Sequence, residues 1–389
     1  QISGPELEAC RNRIRTMTEL PSDFSLRRID FQRLPGWNED DPGQVFPAMK
    51  NCLEHITTMK PYRTGRLGLR SEDIVPVYEA APDRPFDRPE EARAFFEQHF
   101  QPFRIHRHDG ASGLVTGFYE PDVAVSPTPS EVWAYPFYRR PGDLVDLNDG
   151  NRPAEMDPSY VFGRLNDGRI GEYPDRKEID RGYLVGRGLE IAWARSKVDV
   201  FFAHVQGAAR LLFPDGATTR ITYAAKAGHP FSAIGRLLVD RGELDPATVC
   251  VQSIRQWLAC NPARADEILW HNRSYIFFRE AQMSDPHLGP VAAAKVPLLP
   301  GRSLAVDRLI HTFGYPFFIR SPSLVHLGDG RPFARTMLAL DTGSAIVGPA
   351  RGDIFTGSGD AAGELAGTVR NEADFYILIP KTAAGRFGG

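Results

Sequence analysis

No apolar run in this chain reaches the roughly 18 residues that a membrane-spanning helix requires, and no low-complexity tract or internal repeat interrupts it. Cysteine is scarce. Cys10, Cys52, Cys250 and Cys260 lack the paired spacing of a structural zinc site, and no metal or cofactor is expected. Cys250 and Cys260 fall ten apart on one expected helix, about 15 Å along its axis and beyond disulfide reach. Cys10 and Cys52 fall on two expected N-terminal helices and either pair in an oxidising compartment or stay free thiols. An excess of one charge is also missing: the net charge of -3 leaves no basic patch for nucleic acid and no polybasic membrane anchor. The chain opens at Gln1 without a signal peptide and reads as a mature or trimmed form. Leu7-Glu8-Ala9-Cys10 is not read as a lipidation box, because Glu8 is charged and no hydrophobic segment precedes it.

What is abundant is glycine, 36 residues, and proline, 32, which favours short strands and turns over long helices. At 389 residues and 42% apolar content the chain is long enough for two or three domains around a sizeable core. Helical periodicity covers 4–17, 44–59 and 89–100, the last with Asp87 as expected cap. From residue 113 short strands take over, with expected helices over 199–212, 232–241 and 245–260 between them. After His271 strands return over 274–278, 302–307, 314–319, 335–340 and 374–380.

The stretch 340–367 stands out, with Asp341, Asp353 and Asp360 among seven glycines in 28 residues. A strand over 336–340 stops at Asp341, where Gly343 offers the positive φ of a turn. Residues 345–347 are apolar again, Gly348-Pro349 breaks them, and Gly352-Asp353-Ile354-Phe355 starts the next strand. This places Asp341 and Asp353 at the ends of neighbouring strands. Each is either a site carboxylate or a turn aspartate bonding its own backbone. Asp360 reads first as the N-cap of a helix over 361–365.

Several separated motifs then match one family. Val115-Thr116-Gly117-Phe118-Tyr119-Glu120-Pro121, Arg187-Gly188-Leu189-Glu190-Ile191-Ala192-Trp193 and His204-Val205-Gln206-Gly207 resemble the membrane-bound lytic murein transglycosylase A family. So do Asn272-Arg273-Ser274-Tyr275-Ile276-Phe277-Phe278, Val296-Pro297-Leu298 and Gly301-Arg302-Ser303-Leu304-Ala305-Val306-Asp307, and 340–367 resembles its three-aspartate domain. Arg273 stands where the family motif has proline, read as a surface change.

The resemblance implies a mainly β fold with peripheral helices. Residues 1–120 and 280–389 would form a double-psi β-barrel, and 121–279 an inserted smaller β-domain forming the other wall of a glycan groove. It implies a monomeric periplasmic enzyme, associated with the outer membrane if a lipid anchor exists, whose partner is the peptidoglycan glycan strand. Cell-wall synthesis or division proteins are further candidate partners. The implied reaction cleaves the β-1,4 bond between N-acetylmuramic acid and N-acetylglucosamine without water, leaving a 1,6-anhydro end. Because the nucleophile is the substrate's own 6-hydroxyl, one carboxyl group can act as both acid and base. By motif position that group is Asp353, with Asp341 tuning it. Thr116, Tyr119, Gln206, Ser344, Ala345 and Asp360 are the candidate glycan contacts, against bland readings of Tyr119 as core and Gln206 as a buried polar residue. His204, on an amphipathic face, reads as core.

Two rivals are weighed. Leu340-Asp341-Thr342-Gly343-Ser344 resembles an aspartic protease loop, but the sequence has no second Asp-Thr-Gly or Asp-Ser-Gly to complete the pair. A non-catalytic, expansin-like wall-binding protein is the other.

Overall fold

The computed structural model describes residues 23–283, 285–328 and 330–387. The expected helix over 4–17, and Cys10 with its pairing, lie outside the described residues. Cys52 is buried, and burial pushes its thiol up to about 12.

The first strands are β1 (Phe24–Arg28), β2 (Phe100–Arg107), β3 (Gly113–Glu120), β4 (Asp122–Ser126), β5 (Tyr135–Tyr138) and β6 (Leu144–Asp146). There follow β7 (Phe162–Asn166), β8 (Arg169–Gly171), β9 (Glu190–Ala194), β10 (Ala208–Leu212), β11 (Thr218–Lys226) and β12 (Ile276–Ala281). The last are β13 (Ser303–Val306), β14 (Pro316–Ser321), β15 (Phe333–Asp341), β16 (Arg351–Ser358) and β17 (Arg370–Pro380). They build a mainly β molecule with helices around it.

One sheet has the order β1-β2-β17-β14-β15-β13-β16-β3, and β17 also pairs with β3. A second has the order β12-β11-β10-β4-β9-β5, and a third β6-β7-β8. The length of β17 explains its two sets of neighbours: residues 370–373 pair with β3, while residues from 374 onward pair with β14 and β2. Residues 375–380 of β17 and 316–319 of β14 are buried without alternation, as in strands covered on both faces.

Part of the cover is the N-terminal helices Phe46–Thr58, Ser71–Glu79 and Pro89–His99. Trp37 joins this layer to β14: its ring meets Phe96 and Phe318 edge-on, and its indole N–H donates to Glu97 at 2.7 Å. Arg302, immediately before β13, is buried against Asp40 at 2.7 Å, and Asp40 also accepts from the Thr336 N–H at 2.7 Å. The start of β13 and the middle of β15 are thereby held to one point.

The structure corrects several local expectations. The helix expected over 199–212 is Lys197–Gln206; Gly207 ends it at φ +77°, and 208–212 is β10. Glycine in the left-handed conformation is a strong helix stop, and the apolar run after it pairs with β11 and β4 instead. The helix expected over 245–260 starts only at Val251, and Pro262–His271 forms a further helix with Pro262 in its first turn. Arg88, not Asp87, holds the N-cap position of Pro89–His99, without a side-chain capping bond. Asp360 is not an N-cap: Gly359 at φ +87° holds that position and Asp360 is the first residue of the helix Asp360–Thr368. Gly343 does not take positive φ; Gly348 does, at +114°. His204 is buried, with Arg176 Nη1 3.1 Å from its Nδ1, and Arg273 is a half-exposed surface residue paired with Asp175.

Candidate active site

Asp341 and Asp353 are not on neighbouring strands, because β13 runs between β15 and β16. Both nevertheless meet the same residue. Ala305 is the register partner of Asp341 on its parallel side and of Asp353 on its antiparallel side. A bulge makes this possible: Leu304 pairs with Ala339 but Ala305 with Asp341, so Leu340 is the extra residue. Without it the register would place Leu340 beside Ala305 and turn Asp341 to the other face. The row continues through Thr116, partner of Asp353, to Arg370, partner of Thr116. Register partners share a sheet face, so five strands contribute Asp341, Ala305, Asp353, Thr116 and Arg370 to one line. The residue between the two aspartates is a small one, the buried Ala305.

The Thr116 hydroxyl donates to Asp353 Oδ1 at 2.5 Å and accepts from Arg351 Nη2 at 2.8 Å. Arg351 lies two residues before Asp353 on β16 and so projects from the same face. Burial raises the Asp353 carboxyl above the ordinary aspartate range, while the Thr116 hydrogen bond and the Arg351 charge pull it back. Burial likewise raises Asp341, to about 6. The Thr342 and Ala293 N–H groups and Lys295 oppose that rise, and the Asp353 charge adds to it. The Ala293 N–H donates to Asp341 Oδ1 at 3.2 Å from a turn in which Lys295 adopts φ +62°. Both carboxyl groups thus hold a proton more readily than a free aspartate, as an acid working near neutrality requires.

Ser344 and Ala345 are exposed on the loop between Asp341 and β16. Its far end is fixed, since Asp307 accepts from the Gly348 N–H at 2.8 Å and the buried His311 donates from Nε2 to the Pro349 carbonyl at 2.8 Å. Tyr119 is placed differently from Thr116. Three residues along β3 it lies on the opposite face, where a Cβ on Gly363 would come within 2.6 Å of its ring. Gln206 accepts from the Tyr119 N–H at 3.1 Å, and the charges of Arg255, Asp360 and Asp199 act on the Tyr119 phenol. Asp341, Asp353 and Thr116 therefore form one cluster, and Tyr119, Gln206 and Asp360 a second on the other side of β3.

Sequence reasoning missed Arg351 and Ala305. Strand alternation back from Asp353 would have found Arg351; nothing local marks Ala305. It also gave no role to Glu120, which is fully buried and bidentate with Arg220 at 2.6 and 2.8 Å. Ser358 donates to the same carboxylate at 2.6 Å, and Arg220 also reaches the carbonyls of Leu288 and Gly289. This pair fastens β3 to β11. Among the described residues no group of His, Cys, Asp and Glu side chains is arranged to hold a metal ion.

Comparison with known proteins bears on this geometry. Residues 114–279 match the family described as MltA specific insert domain, and residues 302–379 that described as 3D domain. Membrane-bound lytic murein transglycosylase A of Escherichia coli K12 is 32% identical over 275 residues, covering 69% of this chain and 66% of that protein. The alignment thus spans just under two thirds of that relative's length. A crystal structure of membrane-bound lytic murein transglycosylase from Agrobacterium tumefaciens superposes with a TM-score of 0.89 at 64% identity, covering 93% of this chain and 99% of that one. That of E. coli MltA with bound chitohexaose superposes with a TM-score of 0.67 at 27% identity, over 92% and 95% of the two chains.

Proposed function

The chain belongs to the membrane-bound lytic murein transglycosylase A family, and from that premise we propose that it is a peptidoglycan lytic transglycosylase using Asp353 as its single acid and base. The observation that carries this reading is the Asp353 carboxyl itself, whose proton affinity burial raises while the Thr116 hydroxyl orients it. In the reaction the muramyl 6-hydroxyl attacks C1 of its own sugar. The C1–O4 bond breaks, the C1–O6 bond forms, and no water is consumed. Asp353 first gives its proton to the departing N-acetylglucosamine oxygen, and its carboxylate then takes the proton of the 6-hydroxyl. Intramolecular attack has a high effective molarity, so the second carboxylate of ordinary glycosidases is not needed as a nucleophile. Asp341, across Ala305, keeps its own proton affinity high and bonds the sugar at the cleaved linkage.

The glycan runs along the row of Asp341, Asp353 and Thr116, with the exposed backbone of Ser344 and Ala345 beside it. Tyr119, Gln206 and Asp360 extend the same path past the edge of β3. The chitohexaose bound to the E. coli relative supports a glycan as ligand. In this reading residues 1–120 and 280–389 make a double-psi β-barrel, with 121–279 as an inserted β-domain. The second pairing of β17, with β3, supports the barrel. The protein acts in the periplasm, where its substrate is, and as a monomer.

The test is a digest of purified peptidoglycan by the wild-type protein and by Asp353→Asn, with released muropeptides weighed by mass spectrometry. Products one water lighter than reducing-end muropeptides, absent with the variant, are expected. Reducing-end products would overturn the single-acid mechanism and point to Asp341 as a second carboxylate. Retention on the insoluble wall without release would mean a binding module.

A further inference from the structure

Beyond the row of aspartates, Arg308 and Lys226 bring two positive charges within reach of each other. Arg308 sits on the exposed turn that follows β13, closed by the Ile310 N–H donating to the Asp307 carbonyl at 3.0 Å. It lies three residues past Ala305, and Asp307 ties its turn to the loop leading into Asp353. Lys226 ends β11 and is half-buried. Among the described residues neither side chain has a hydrogen bond or ion pair.

A bulge directs the β11 residues. Tyr223 pairs with Phe278, Ala225 with Phe277 and Lys226 with Ile276, so Ala224 is the extra residue. It puts Tyr223 and Lys226 on the same face, where unbroken alternation would have opposed them. Tyr223 is 42% exposed. Burial, and then the charge of Arg308, push the Lys226 ammonium below the ordinary lysine range, and Arg308 also acts on the Tyr223 phenol. The other charges facing Tyr223, Arg140 and Asp146, bond each other at 2.7 Å and cancel. Lys226, half-buried on the face it shares with Tyr223, therefore lies within electrostatic reach of Arg308 and has no described counter-charge, an arrangement that a bound anion relieves.

We infer that Tyr223, Lys226 and Arg308 form a subsite for a carboxylate carried by the glycan, with Tyr223 covering the apolar part of that substituent. The inference rests on the proposed action on peptidoglycan. The amino sugars themselves are uncharged, and the carboxylates of such a strand are those of its peptide stems or, where a stem has been removed, of the bared lactyl group.

Three substrates separate these sources: stem-bearing glycan, amidase-stripped glycan with free lactyl carboxylates, and uncharged chitohexaose as a binding probe. For Lys226→Met with Arg308→Gln, the preference for a carboxylated strand over chitohexaose is expected to fall about tenfold, read as KM against Kd, and Arg308→Lys should retain most of it. A fall confined to stem-bearing glycan identifies the stem carboxylates; a fall confined to amidase-stripped glycan identifies the lactyl carboxylate, which the stem's amide bond otherwise blocks; a fall on both shows that either carboxylate fills the subsite. Equal weakening on all three substrates, or no change on any, would overturn the inference. If wild-type protein binds all three but releases no anhydro product, the proposed reaction fails while the subsite is still judged by binding alone. Arg308 is exposed, so Arg308→Gln by itself gives a variant whose folding is not at stake.

Discussion

Asp341 and Asp353 flank Ala305 from opposite sides, one on a parallel neighbour of β13 and the other on an antiparallel one. With strands about 4.8 Å apart, their backbones are roughly 10 Å from each other. The residue between them is the small, buried Ala305. The pair is close enough for the Asp353 charge to add to the rise of the Asp341 carboxyl.

Asp341 carries a pH signature in stability. Its carboxyl is raised in the folded chain from 3.8 to about 6. A group held above its unfolded value lowers stability as pH rises, because the unfolded chain ionises first. The penalty is absent below about pH 4 and complete above about pH 6. Asp341→Asn keeps an acceptor for the Ala293 N–H and removes the titration. The variant should match wild type near pH 4 and exceed it by about 1–2 kcal/mol at pH 7.5. Denaturant unfolding at both pH values checks this, and a gain at pH 4 alone would contradict the sign.

Thr116 has a different signature. Its hydroxyl donates to Asp353 and favours the ionised form. In Thr116→Val that bond is gone, Asp353 holds its proton to higher pH, and the alkaline limb of the pH–rate profile should move up by about half a unit to one unit. A downward movement would mean that Thr116 serves the protonated carboxyl instead.

The Glu120 and Arg220 pair should be costly to break from one side. Glu120→Leu leaves a buried guanidinium with only the Leu288 and Gly289 carbonyls, and should cost about 3–5 kcal/mol. Adding Arg220→Met should recover much of this. Urea unfolding of the single and double variants gives the coupling, and a single-variant loss under about 1 kcal/mol would show that β3 and β11 are held by something else.

Gly117 governs how closely the helix Asp360–Thr368 approaches β3. A Cβ there would lie 2.8 Å from the Ala366 backbone. Gly117→Ala should therefore cost about 1–3 kcal/mol and slow turnover, since Thr116 is the next residue. Gly142→Ala, with no neighbouring atom within 4 Å, is the matched control and should be near neutral in thermal melting.

Much of this protein is legible along the chain. Short strands between glycine and proline turns, the β15 and β16 boundaries around Asp341 and Asp353, and the family motifs are all local or ordered in sequence, and local pattern reports them. Errors arose where one residue overruled a longer pattern: Gly207 cut an amphipathic run into helix and strand, and Gly359 took the cap position from Asp360.

The sequence alone determined that Asp341 ends one strand and that Asp353 lies near the start of another, because hydrophobic alternation and turn chemistry are properties of neighbouring residues. Only the tertiary structure decided that β13 would pass between them, that a bulge at Leu340 would bring Asp341 level with Asp353, and that Thr116 would meet one face and Tyr119 the other. Those outcomes depend on register between strands far apart in sequence. Register is set by the burial of whole faces at once, so it has no signal in any single segment.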